Sequence, residues 1–283
     1  MWIVVYCQLN QMIRGINMYL SFFGLTQPPL GKESLSLWDN GQLTRLSQQF
    51  NWLLQSPGVG LLTAEPGLGK TAALRQVTRP LNPHQYAVYY TADTDFGRLD
   101  FYRELAILLG LQPSYRRAQL WRDIKAHIVH LAIQKNLLPV LIIDEAHNLP
   151  FEFFRDFPAF LNFVFDSKEY MTVWLVGHPE LARHIDRSIN RALASRIQAR
   201  IELKPVFDRE AFKQLITHGF SQAGCTRSLL SDSGIELIRM ASKGNPRFAH
   251  QIVVAALRLA CDKNITHLPD DIISETIAML KSS

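Results

Sequence analysis

Cysteine is scarce: Cys7, Cys225 and Cys261 are the only three in 283 residues. They are too few and too scattered for a disulfide framework or a thiolate metal site, so reduced thiols are the expectation. Long apolar runs are missing too, and no stretch approaches the ~20 residues that a membrane-spanning helix needs. The opening MWIVVYCQLNQMIRGIN lacks the basic start, extended apolar stretch and small-residue cleavage site of a secretory signal. Internal repeats and low-complexity tracts are absent. These absences point to a cytoplasmic chain with no membrane partner. Charge of one sign is in small excess, net +5, with 47% hydrophobic and 19% charged residues. That balance is ordinary for a globular protein and compatible with nucleic acid without requiring it.

What is present begins with five β-rich apolar runs: VGLLTA (59–64), YAVYYTA (86–92), LPVLIIDEA (138–146), MTVWLVG (171–177) and ARIELKPV (199–206). Helical patterns lie between them, and continuous apolar strands suit a parallel sheet covered on both faces. The expected fold class is therefore α/β, a three-layer parallel-sheet domain over 18–206. After Pro205 the texture turns helical, at 208–224, 231–243, 246–262 and 269–281, giving a small all-helical domain over 207–283. Ser233 and Glu236 are spaced as a capping box, and Asn245-Pro246 sets an N-cap before a proline at the first helical position. Residues 1–17 read as an upstream extension or a peripheral strand, with Met18 an equally good start.

The strongest local pattern is Ala64-Glu65-Pro66-Gly67-Leu68-Gly69-Lys70-Thr71, a P-loop with alanine at its first glycine position. Gly67 and Gly69 let backbone N–H groups converge on phosphate oxygens where a Cβ would crowd them. The helix that follows points its N-terminus at the anion. Lys70 is placed to reach the β- and γ-phosphates and the Thr71 hydroxyl to ligate Mg2+. The expected cofactor loop is thus Glu65, Pro66, Gly67, Leu68, Gly69, Lys70, Thr71 and Ala72, with ATP and Mg2+ as ligands. Downstream, four apolar strand residues end in Asp144-Glu145. A buried strand tip would hold Asp144 as the second Mg2+ ligand beside Thr71. Glu145 would then orient and deprotonate the attacking water.

With a P-loop upstream of this acidic pair, the chain resembles the AAA+ ATPases, ASCE-type P-loop proteins with a helical lid. The resemblance implies three further roles. His178, after MTVWLVG, falls where a polar residue senses the γ-phosphate, although a histidine capping a strand end is the plain alternative. Arg196, in ALASRIQAR, matches the arginine finger that reaches a neighbouring subunit's phosphate, with Arg191 and Arg200 as rivals. Arg247, in GNPR, matches the second sensor of the lid. The segments MYLSFFGLTQPPLGKES, GLLTAEPGLGKTAALRQV, LIIDEAHNL, VWLVGHPEL, SRIQARIELKPV and GNPR together resemble the ExeA/TniB/TnsC group, related to IstB-like proteins. These ATPases either assist transposases or energise type II secretion. Members of the secretion branch typically continue into a membrane span and a peptidoglycan-binding domain, so the end of this chain after the helical lid makes a transposition helper the expectation. That branch implies an ATP-dependent homo-oligomer, ring or filament, on double-stranded DNA, with a transposase and in some members a target-selection protein as partners. The candidate DNA element is Tyr115-Arg116-Arg117 with the helix 119–134. That helix carries Arg122 and Lys125 beside an apolar stripe of Leu120, Trp121, Ile124, Ile128 and Leu131. An ordinary solvated surface helix is the competing reading.

Overall fold

The computed structural model describes residues 18–31, 36–94, 97–164, 167–225 and 227–282. The extension expected at 1–17 lies outside them. Five parallel strands, β1 (Val59–Ala64), β2 (Tyr86–Thr91), β3 (Leu138–Ile143), β4 (Thr172–Gly177) and β5 (Ile197–Leu203), form one sheet in the order β2-β3-β4-β1-β5. The position in the sheet explains the sequence of each strand. Central β1 and β4 are buried at every residue and β3 at all but its first, which matches their unbroken apolar runs. Edge strand β5 alternates exposed and buried positions instead, and edge strand β2 is buried only at Thr91.

Helices flank this sheet. On one face, Val173 and Leu175 of β4 join an aromatic-rich core with α4 (Arg98–Leu108), α5 (Arg117–Val129) and α6 (Phe151–Leu161). Within it the Phe101 ring meets Phe153 at 4.8 Å, and Tyr102 meets Phe160 at 5.1 Å. Trp174 points to the opposite face, as strand alternation requires. There it stacks on Phe50 of α2 (Gln42–Gln55) at 5.4 Å. Gly60 of β1 makes that possible, since a Cβ there would lie 2.6 Å from the indole. The remaining elements of this unit are α3 (Lys70–Thr78), α7 (Pro179–Ile185) and α8 (Arg191–Ala194).

A second unit is helical: α9 (Arg209–Gln222), α10 (Asp232–Ser242), α11 (Pro246–Asp262) and α12 (Asp270–Ser282), close to the expected spans. Asn245 caps α11 by accepting from the backbone N–H groups of Arg247 and Phe248. The capping box expected from Ser233 and Glu236 does not form. Ser231 caps α10 instead, accepting from Gly234 N at 2.8 Å while donating to Asp270. Glu236 is turned to Arg239, at 2.6 and 2.9 Å.

Grouping by contact differs from the expected boundaries. One unit holds the described residues of 18–40 and 205–282 together with Gly67–Gly69; the other holds 41–66 and the described residues of 70–204. The N-terminal turn α1 (18–23) and the residues after it belong with the helices for a packing reason. Tyr19, Phe23 and Leu25 are buried in the helical core with Phe212, Ile252 and Ile273. Thr26 N donates to Ala223 O at 2.8 Å, and the Arg258 guanidinium lies over the Tyr19 ring. Phe23→Ala is therefore expected to cost about 3 kcal/mol of the helical unit's stability, read as a lower denaturant midpoint.

Candidate nucleotide-binding site

The loop between β1 and α3 carries the geometry that its sequence requires. Gly67 and Gly69 have φ of 86° and 87°, a region that disfavours any residue with a Cβ. A Cβ on Gly67 would also sit 2.7 Å from Asn245 Oδ1 within the helical unit, where Gly67 O accepts from Arg247 N at 3.3 Å. Lys70 opens α3 and is only 6% exposed, its Nζ donating to Ala64 O at 2.9 Å. Thr71 and Ala72 follow half-buried, Leu68 is buried, and Glu65 and Pro66 are exposed.

Asp144, at the end of β3, is buried and heavily bonded. Its Oδ2 accepts from Thr71 Oγ1 at 2.7 Å and from the Tyr90 hydroxyl at 2.9 Å, and its Oδ1 accepts from Glu145 N at 2.9 Å. The two expected Mg2+ ligands thus face each other across strands β1 and β3, at the carboxyl ends where α/β sheets hold ligands. Burial, and then the Asp144 charge, push the Tyr90 hydroxyl up to about 12.

Glu145 leaves the strand in the left-handed region, φ 53° and ψ 30°. Such a conformation costs on the order of 1–3 kcal/mol in a non-glycine residue and persists only where its surroundings hold it. Here the bond to Asp144 and another from Thr94 Oγ1 to Glu145 O at 2.9 Å do so. The carboxylate is 41% exposed, with Oε2 lying 3.5 Å from His147 Nδ1 and 3.7 Å from His178 Nε2. The two imidazoles stack at 4.1 Å. Burial first, and the neighbouring His178 second, push His147 below the usual histidine range. His178 therefore meets Glu145 as well as the strand end. His147 and Tyr90 went unnoticed in the sequence. The first was visible only as the last letter of DEAH, the second only as one tyrosine of an edge strand.

Residues 53–185 match the family described as the AAA domain. The fold is that of an AAA-type P-loop ATPase. General secretion pathway protein A of Aeromonas hydrophila is 28% identical over 253 residues, covering 85% of this chain and 44% of that protein. The chain thus spans less than half the length of this curated relative. Among solved structures, Cdc6p of Pyrobaculum aerophilum superposes with a TM-score of 0.65 at 18% identity, over 90% of this chain and 69% of that one. The Aeropyrum pernix ORC1 protein in complex with DNA gives 0.64 at 13%, over 88% and 67%. RuvB of Thermotoga maritima gives 0.58 at 18%, over 86% and 70%. At these identities the AAA-type fold alone is shared. No helix among the described residues is long and apolar enough to cross a membrane.

The remaining candidates have partners or exposure of their own. Arg196 lies 3.6 Å from Glu169 and Arg200 2.9 Å from Asp186, whereas Arg191 is exposed at the start of α8. Arg247 is exposed in the first turn of α11. Of the four candidate DNA contacts, two have partners within the protein. Arg117 pairs with Asp156 at 2.7 Å and lies over Trp121, and Lys125 donates to Asn162 O at 2.7 Å beside Phe163. These two, with Trp121 between them, recur every four residues along one ridge of α5, so they fasten that helix to α6 and the segment after it. Burial lowers the Lys125 pKa accordingly. Arg116 is exposed, and exposed Arg122 accompanies Gln119 on the same helix.

Proposed function

We propose that the chain is an ATPase that assembles with ATP into a homo-oligomer and works as a nucleotide-gated switch on duplex DNA. The observation that carries the ATPase reading is the convergence of buried Lys70, the Thr71–Asp144 pair and a held Glu145 at the carboxyl ends of β1 and β3, which flank β4 in one sheet. The residues fit Mg-ATP: Gly67 and Gly69 give the loop the left-handed geometry in which backbone N–H groups can converge on phosphate, and Thr71 and Asp144 offer hard oxygen ligands. Mg2+ held by these two would neutralise charge on the phosphates. Glu145 takes the proton of the attacking water, and His147 and His178 set the position of its carboxylate. Arg247 as second sensor and Arg196 as a finger toward a neighbouring subunit complete the proposed set.

The DNA reading, with a transposase as the downstream partner, is supported by the net charge of +5, by exposed Arg116 just before α5 and by exposed Arg122 on it. A second reading is favoured by the relative from Aeromonas: an ATPase of a secretion system. Anisotropy binding to random duplex with ATP analogue, ADP and no nucleotide, across a salt series, separates them. A DNA switch binds tightly only with the ATP analogue, and its affinity falls steeply with salt. Arg116→Ala with Arg122→Ala should then reduce the salt slope by about 2 without changing nucleotide affinity. Affinity equal in all three states, or absent from all, would put the secretion reading ahead.

A further inference from the structure

Beyond the hard-cation ligands Thr71 and Asp144, a second set of donors converges nearby. Glu145, His147 and His178 each offer one ligand atom, all within 4.8 Å of one another. The fold brings them together from two adjacent strands. Glu145 lies in the turn after β3 and His147 in the short 3-10 helix that follows, and His178 directly follows β4, the neighbour of β3 in the sheet. Glu145 Oε2 is 3.5 Å from one imidazole nitrogen and 3.7 Å from the other. In a tetrahedral zinc site, bonds of ~2.0–2.1 Å place ligand atoms about 3.3 Å apart, so these two separations need shrink by only a few tenths of an ångström.

His147 Nδ1 carries the argument furthest. It is buried and has no hydrogen-bond partner among the described residues. An unsatisfied buried polar atom costs about 1–3 kcal/mol, so one aimed at a carboxylate and a second imidazole asks for an explanation. Gly177 leaves it room, since a Cβ there would sit 3.1 Å from that nitrogen. Two nitrogens and one carboxylate oxygen suit a borderline transition metal with a water in the fourth position, whereas Mg2+ prefers oxygen ligands throughout.

We propose that Glu145, His147 and His178 form an inhibitory site for a zinc-class divalent ion, which ties up the carboxylate of Glu145. The binding half stands on the geometry alone; the inhibitory half rests on the ATPase reading. A Glu145 oxygen bonded to the ion cannot take a proton from water, so turnover stops while nucleotide still binds.

The test uses the full chain without nucleotide, titrated first with Co2+. One equivalent should produce the intense visible bands of tetrahedral cobalt, with no sulfur charge-transfer band, and Zn2+ should displace it. His147→Asn and His178→Gln should each weaken binding by about 10–100-fold while circular dichroism stays that of the parent. In the ATPase assay, Zn2+ at a tenth of the Mg2+ concentration should suppress turnover at least about tenfold, reversibly with a chelator. The His147→Asn chain should need at least about tenfold more zinc relative to its own rate. Octahedral spectra only, a sulfur band, or binding unchanged in both variants would overturn the site. Tetrahedral binding without inhibition would overturn the role of Glu145 in it. If instead no ATP turnover is found but tetrahedral cobalt still binds and is lost in both variants, the ATPase reading fails and the site stands.

Discussion

Glu145→Gln is expected to bind ATP as tightly as the parent chain and to turn it over at least ~100-fold more slowly. Glutamine keeps the size and shape of the side chain, so the turn after β3 stays as it is. It also leaves Lys70, Thr71 and Asp144 with the bonds that they make now. What glutamine cannot do is accept a proton. A hundredfold loss corresponds to roughly 2.7 kcal/mol of transition-state stabilisation, within what positioned general bases supply. Equilibrium binding of a fluorescent ATP analogue, read beside steady-state phosphate release, separates the two quantities. Near-normal phosphate release would remove Glu145 from the role of base and leave its left-handed backbone without a catalytic reason.

The second large effect is a rescue. Lys70→Ala removes a buried ammonium from the phosphate loop and should lower nucleotide affinity by about 10–100-fold, the range of one or two charge-assisted hydrogen bonds. Arg196→Ala should leave affinity nearly intact and abolish turnover. Each chain alone is then inactive. In a head-to-tail oligomer, an equal mixture creates interfaces in which an intact loop from one subunit meets an intact arginine from the next. Random assembly gives that arrangement at about a quarter of the interfaces, so about a quarter of the parent rate should return. Arg196 has to leave Glu169 to do this, and the contact at 3.6 Å on a partly exposed side chain is weak enough to yield. The same mixture made with Arg191→Ala distinguishes its rival. Rescue with Arg191→Ala and none with Arg196→Ala would move the finger to the exposed start of α8.

Most of the sheet was legible because burial on both faces leaves its mark directly in composition: VGLLTA, LPVLII and TVWLVG could hardly be anything but central strands. Lys70, Thr71, Asp144 and Glu145 were legible because phosphate and metal chemistry fixes residue type and spacing at once. The pairing of Asp144 with Tyr90 was not, since it depends on which strand lies beside β3, and strand order leaves no trace in local sequence. The same holds for His147 against His178, which meet only because β4 neighbours β3. Arg117 and Lys125 looked like a basic patch because charge is visible in a sequence and its partners, Asp156 and the Asn162 carbonyl, are not. Ser231 displaced Ser233 as the cap of α10 because Asp270, far along the chain, fixes its hydroxyl.

The burial of Tyr19, Phe23 and Leu25 among the C-terminal helices has a consequence for the newborn chain. Synthesis runs at about 5–20 residues per second, so roughly 10–50 seconds separate the appearance of Tyr19 from that of Ile273 on the ribosome. During that interval the sheet-bearing residues 41–204 can acquire their strands and core in order. Tyr19 and Phe23 have little of their own unit to pack against until the C-terminal helices have been made. A chain halted before α11 would carry a finished sheet beside aromatic side chains that still lack their core, and so be prone to aggregate.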